Sequence, residues 1–291
     1  MSLTAALFSG VSGLKSNAES INVIGNNLAN VNTVGFKSGR MLFSDLFSMN
    51  VSKDSQVGRG TQIQKVDNIF GQGTFETTEL ASDLALQGNS FFALGKPGGD
   101  KVVESQAKAF LTRAGAFRVD DTCHLVNPDG YQVLDTAGAP IQFKEPAAKP
   151  VAGDFGKITK IDSDGAITYL DALGTTYYYN AAGAIGTTTL KDGNARIAVI
   201  NPPNPNGLDK IGGTLFTAGA KSGVPTDAFA ADANKANGTS ERIYSNSLEQ
   251  SNVDMASQFV NMIQTQRAYS ANSKTITTSD EMTQEAINLK R

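Results

Sequence analysis

The chain has 291 residues, a formal net charge of −3 and 40% apolar residues, which allows one to three domains and a sizeable core. So small a charge indicates neither nucleic acid nor an anionic membrane as a partner. A single cysteine, Cys123, and a single histidine, His124, exclude an internal disulfide framework and a Cys/His zinc site.

Residues 1–30 read as a helix. Leu7, Leu14, Ile21 and Leu28 recur every seven residues, with Val11, Ala18 and Gly25 between them. No basic residue precedes the apolar ones, so a cleavable secretion signal is not expected. No apolar run approaches a membrane span. The chain is expected to be cytosolic or exported without cleavage. The helix exit is dense in Asn26, Asn27, Asn30 and Asn32, which cap and turn backbone, and Gly35 permits a sharp change of direction before Phe36.

Residues 38–60 read as a connector holding a short apolar cluster. Phe43 and Phe47 stand four apart, as on one edge of a short helix. From Thr61 the pattern turns to strands, punctuated by Gly71-Gln72-Gly73, Gly88-Asn89, Pro97-Gly98-Gly99 and Asp129-Gly130. Leu84–Leu86, Phe91–Leu94, Phe117–Val119 and Tyr131–Leu134 are the expected strands, followed after a Pro-containing loop by Ile158–Ile161, Ala166–Leu170, Thr176–Tyr179 and Arg196–Ile200. Asn201–Gly207 holds three prolines and cannot be central strand.

Ser251-Asn252-Val253-Asp254 opens the last helix, with Ser251 expected to cap it and the acid suiting the positive helix end. Met255, Met262, Tyr269 and Ile276 are again seven apart, with Phe259, Gln266 and Ser273 at the intermediate steps. This is a half-polar coiled-coil seam. The Ser-, Thr- and Asn-rich run from Ser270 to Ser279 weakens the helix, because those side chains compete for backbone hydrogen bonds. The expected fold is α+β: terminal helices paired as a coiled-coil shaft, with a β-rich body between them. The expected boundaries are 1–37 and 251–291 for the shaft helices, 38–60 for the connector and 61–250 for the body. A two-helix pair this polar buries too little to offset its ordering entropy, so the helices are expected to order by stacking against copies of themselves.

No catalytic constellation emerges. Cys123 and His124 are adjacent and would point to opposite faces of a strand. Asp162-Ser163-Asp164-Gly165 has its Gly at the wrong position for a calcium loop and reads as a hairpin turn. Gly71-Gln72-Gly73 lacks the third Gly of a dinucleotide loop. No cofactor, metal or enzymatic activity is expected.

Val23 to Lys37, with Asn26, Asn27, Asn30, Gly35 and Phe36, closely resembles the signature of the bacterial flagellar rod and hook proteins. Asp83 to Phe92, Leu111 to Phe117 and Ser251 to Tyr269 resemble further segments of that family, in the family's order. Ile287-Asn288-Leu289-Lys290-Arg291 and Phe259 to Ile263 look most like the hook member, whereas the short middle of the chain leaves little room for an outer domain and keeps the distal rod subunit as the alternative. A surface adhesin with helical ends is the reading from another class.

The resemblance implies a structural subunit that polymerises into a flexible tube transmitting torque. It implies partners in other copies of the chain, in the rod, hook-cap and hook–filament junction proteins, and in the type III export apparatus. It also implies residence in the flagellum, outside the cell after export. Phe43 and Phe47 match the Phe-x-x-x-hydrophobic export element of early-secreted members. Combined with the seven-residue repeats, the polymerisation seam is expected to consist of Leu7, Val11, Leu14, Ile21 and Leu28 with Met255, Phe259, Met262, Tyr269 and Ile276.

Overall fold

The computed structural model describes residues 3–46, 49–52, 55–98, 102–144, 153–180, 195–230, 234–239 and 241–289. It divides into two compact units, one of Met1–Val31, Lys37–Ile69 and Val253–Arg291, the other of Asn32–Phe36 and Phe70–Asn252. The class is α+β, with a long helix near each end of the chain and a β-rich body between them.

The first unit contains α1 (Leu3–Ala29), β1 (Gly39–Asp45), β2 (Met49–Ser52), β3 (Ser55–Val57), β4 (Thr61–Asn68) and α2 (Met255–Asn288). β1 pairs antiparallel with β4, from Gly39 opposite Asn68 to Asp45 opposite Thr61, with a register shift between Leu42 and Phe43. β2 and β3 form the hairpin between them. Strand structure thus begins at Gly39 rather than Thr61, and the segment read as a connector belongs with the helices. Phe43 sits on β1 and is exposed, not on a helix; Phe47 lies outside the described residues. The i, i+4 spacing is local, whereas the partner that makes this segment a strand lies some twenty residues further on, out of reach of a periodicity argument.

α2 is continuous through its Ser/Thr-rich run, where the hydroxyls bond back along the helix. Thr275 donates to Ala271 O at 3.1 Å, Thr278 to Lys274 O at 2.9 Å, Ser279 to Thr275 O at 2.8 Å and Thr283 to Ser279 O at 2.7 Å. Its cap is Asp254, whose carboxylate accepts from Ala256 N at 3.1 Å, rather than Ser251. The Ser257 hydroxyl and that amide hold the Asp254 carboxyl below its usual range.

The second unit contains β5 (Phe75–Thr77), β6 (Leu84–Gln87), β7 (Phe91–Gly95), β8 (Phe110–Thr112), β9 (Arg118–Val119), β10 (Leu125–Val126), β11 (Gln132–Val133), β12 (Phe155–Ile161), β13 (Ile167–Asp171), β14 (Thr176–Tyr178), β15 (Val199–Ile200), β16 (Asp209–Gly212), β17 (Leu215–Thr217), β18 (Arg242–Ser245) and β19 (Ser247–Glu249). The largest sheet runs β16-β17-β8-β7-β11-β10-β9, and β15 shares one edge of β7 with β11.

β7 is buried along its whole length because both its faces are covered. Period-2 alternation sends Phe92 and Leu94 into one core and Phe91 and Ala93 into the other. Neighbouring strands divide the same way: Val133, Val199 and Leu215 join the first core, Leu134, Ile200 and Phe216 the second. β12–β14 form a separate antiparallel sheet, yet Ile161, Ile167, Tyr169 and Tyr177 join the first core, so residues 155–178 belong to the same body. Asp162–Gly165 is the turn between β12 and β13, as its composition indicates.

Candidate assembly site

The two helices run antiparallel within the first unit and meet through small and polar side chains. A Cβ at Gly10 would lie 2.8 Å from Ile276 Cγ1, and one at Gly13 would lie 2.6 Å from the Asn272 amide nitrogen. Further along, Asn27 donates to Gln258 Oε1 at 3.2 Å. The buried stripe of α1 is Gly10, Gly13, Ser16, Ser20, Ile24 and Asn27. On α2 the sheltered stripe is Gln258, Met262, Thr265, Ala268, Asn272, Ile276 and Ser279. Both follow helical spacing; the α1 stripe holds none of the large apolar repeat residues, whereas the α2 stripe shares Met262 and Ile276 with its repeat.

Of the repeat residues, Met262 and Ile276 lie in the α2 stripe and the others lie outside both stripes. Leu7, Leu14, Ile21 and Leu28 are half-buried beside the stripe, and Val11 is exposed. Met262 and Ile276 are half-buried, while Met255, Phe259 and Tyr269 face solvent. At Gly10 and Gly13 the missing side chain leaves room for the Ile276 and Asn272 side chains of α2. Val260, Ile263 and Met282 are exposed as well. α2 therefore turns a mixed side inward, with Met262 and Ile276 among polar residues, and much of its apolar surface outward.

The Asn-rich turn after α1 is anchored at its two ends. Asn27 is buried and matches both polar groups of one backbone residue: its Nδ2 donates to Gly39 O at 2.7 Å, and its Oδ1 accepts from Gly39 N at 2.8 Å. Asn26 and Asn30 close the helix end, with Asn30 Nδ2 donating to Asn26 O at 2.8 Å. Asn27→Ala would strand the Gly39 N–H and C=O at a cost of about 1–3 kcal/mol. Amide exchange at Gly39 is expected to become fast in that variant, and an unchanged rate would refute the pin.

At the other end, Gly35 has φ +69°. A Cβ there would lie 2.4 Å from Ala114 N, so only glycine fits. Gly35 N donates to Glu249 O at 2.7 Å. Phe36 is buried, with Lys210 Nζ 4.3 Å from its ring centroid; burial lowers the Lys210 pKa.

Behind this turn lies an ion pair with almost no solvent exposure. Arg113 Nη1 is 3.4 Å from Glu249 Oε2 and donates to Leu86 O at 3.2 Å, while Nη2 donates to Gly88 O. The guanidinium stands 5.0 Å from the Phe91 ring centroid. Glu249 Oε1 accepts from Gly73 N at 2.9 Å. Burial pulls the Arg113 pKa down and Glu249 opposes the shift. One buried pair thus ties together the strands at Leu86 and Glu249 and the loop at Gly73, and the Glu249 backbone holds Gly35.

Cys123 is buried with φ 59° in the turn before β10, and the His124 ring nitrogen lies 2.8 Å from the Thr122 hydroxyl. Among the described residues no group of three metal-capable side chains occurs, and no helix is long and apolar enough to cross a membrane.

The chain matches three family descriptions: "Flagella basal body rod protein" over residues 7–37, "Flagellar hook protein FlgE/F/G D1 domain" over 85–169, and "Flagellar basal body rod FlgEFG protein C-terminal" over 244–289. It is 36% identical to the flagellar basal-body rod protein FlgG of Bacillus subtilis, over 98% of this chain and 99% of that protein. The chain belongs to the flagellar rod and hook protein family. Its place is the bacterial flagellum. Other relatives are the rod protein FlgG of Borreliella burgdorferi, 32% identical over 98% of both chains, and the hook protein FlgE of the same organism. The latter is 27% identical over 98% of this chain and 99% of that protein, in an alignment of 452 positions.

The matched rod and hook segments coincide with the anchored elements. Residues 7–37 carry α1, Asn27, Gly35 and Phe36; 85–169 carry Leu86, Gly88, Phe91 and Arg113; 244–289 carry Glu249 and α2. Arg113 and Glu249 were not singled out by reading the sequence. The available signal was an arginine amid apolar residues in Leu111-Thr112-Arg113-Ala114-Gly115, where a charge enters a core only with a partner.

Proposed function

We propose that this chain is the subunit of the flagellar hook and builds a flexible helical tube that transmits torque. The observation that carries the polymer reading is the apolar surface left uncovered: Met255, Phe259 and Tyr269 of α2 face solvent, with Val11 of α1, while the side of α2 turned to α1 holds Met262 and Ile276 among small and polar residues. Covering each large apolar side chain with a neighbouring subunit is worth about 1.5–3 kcal/mol. A contact between two different patches repeats without closing and so grows a filament. The expected seam, with Leu7, Leu14, Ile21, Leu28, Met262 and Ile276 half-buried beside these residues, then lies between subunits as well as within one.

The hook assignment is supported by the chain's ending, Ile287 to Arg291, and by the Ser-, Asn- and Gln-rich helix surfaces, which can slide more readily than interlocked apolar ones. The distal rod is the second reading, favoured by the nearly full-length match to rod proteins of similar size. The rod, hook-cap and junction proteins, the export apparatus and export through Phe43 and Phe47 belong to this proposal. Electron microscopy of the polymerised chain separates the readings. Curved tubes of variable shape are expected, and straight rigid ones would move the assignment to the rod.

A further inference from the structure

The second unit buries a carboxyl group in its core. Val133 joins the first core and Leu134 the second, so alternation turns Asp135 toward the first. Its bridge partner Ile197 belongs to that core, as does Tyr179. Asp135 is fully buried. Its Oδ1 accepts from Ala137 N and Ala139 N, both at 2.9 Å, which closes the turn after β11. Its Oδ2 is buried with no hydrogen-bond donor among the described residues.

The surroundings of the turn supply no cation to this carboxyl. Arg196 runs alongside, its carbonyl accepting from Thr136 N at 3.0 Å, but its guanidinium turns to Asp164 at 3.5 Å. On the other side, Val103 N donates to Gly138 O at 2.8 Å, and Phe229 packs against Gly138. Glu104, next to Val103, is exposed and pairs with Lys108 at 2.9 Å. Tyr169 of β13 and Tyr179 just beyond β14 bring phenols. Burial raises the pKa of both, and at Tyr179 the Asp135 charge adds to it, so the phenols stay neutral. A lone carboxylate in an apolar core is far costlier than a neutral carboxyl. Burial accordingly pushes Asp135 above the usual aspartate range, against the pull of the Ala139, Ala137 and Gly138 amides.

The carboxyl lies where the β12–β14 sheet meets the largest sheet. Ala198 N donates to Leu134 O at 2.9 Å on one side of Ile197. Ile197 N itself donates to Gly165 O at 3.0 Å, in the turn between β12 and β13, and Tyr179 N donates to Ile167 O at 2.9 Å. We infer that Asp135 keeps its proton while the two sheets are closed on each other and loses it when they part, so that the body is tighter in mild acid than in alkali. The closed body favours the protonated form. Its contribution to stability is therefore complete below the ordinary aspartate pKa of about 3.9 and is lost as pH rises through the folded value. In the tube proposed above, the same proton would make each subunit stiffer in acid.

The test titrates the full chain, and none of its readouts depends on the tube reading. The carbon-13 resonance of the Asp135 carboxyl is expected to hold its protonated position at about pH 6, where exposed carboxylates have ionised. Movement together with the exposed aspartates overturns the assignment. Asp135→Asn keeps the Oδ1 acceptor and carries no charge at any pH, while all other groups titrate alike in both chains. The wild-type unfolding constant divided by that of the variant is expected to climb by up to about tenfold per pH unit, from about pH 4 until Asp135 ionises. Amide exchange at Tyr179 and Ala198 should quicken with pH in the wild type relative to the variant. A ratio that stays flat or falls with pH also overturns the assignment. If the variant does not fold, the wild-type carboxyl resonance decides alone.

Discussion

Arg113→Ala is expected to destabilise the second unit by about 3–5 kcal/mol, because it leaves Glu249 charged, buried and without its counter-ion. The substitution also frees the carbonyls of Leu86 and Gly88 and removes the guanidinium from Phe91. The double replacement Arg113→Met with Glu249→Leu should be milder than the single one, since it removes both charges together and fills the space with apolar atoms. It still loses the acceptor for Gly73 N. Urea unfolding followed by far-UV circular dichroism measures both. A single variant within about 0.5 kcal/mol of wild type, as for a bland surface change, would show that the pair holds nothing together. Because Glu249 O is the acceptor for Gly35 N, the single variant should also assemble poorly even where it remains folded.

The second large effect contrasts two glycines of α1. Gly13→Leu should displace the Asn272 side chain, since even a Cβ there falls 2.6 Å from its amide nitrogen, and the rest of the leucine must then be fitted between the helices. Overpacking of this kind costs about 1–3 kcal/mol, partly offset by the better helix propensity of leucine. Assembly should suffer more than stability, because the outward faces of both helices shift with the pair. Gly25→Ala, in contrast, places its Cβ where no atom lies within 4 Å. It should stabilise the helix by about 0.5–1 kcal/mol and leave polymerisation intact. Paired sedimentation and thermal melts read both outcomes. If the two substitutions behave alike, the close approach at Gly13 is not what seats the helices.

Much of the fold was legible because its signals are local. The terminal helices follow from their seven-residue repeats, and Phe91–Leu94 and Ile158–Ile161 from short apolar runs bounded by turn residues. Asp162–Gly165 turns the chain as its composition requires. Gly39–Asp45 escaped because it becomes a strand only by pairing with Thr61–Asn68. The helix cap is Asp254 rather than Ser251 because the first helical residue is Met255 and the Asp254 carboxylate reaches Ala256 N.

By itself the sequence determined two helical ends, a β body and membership signals spread through the chain, since periodicity and turn chemistry act between near neighbours. Tertiary structure alone decided which helix faces meet. A seven-residue apolar repeat selects a face by hydrophobicity, but only the folded pair sets Ile276 against Gly10 and Asn272 against Gly13, and steric fit is a property of two surfaces together. The same holds for Arg113 and Glu249, which are 136 residues apart and become a pair only when folding removes water from both.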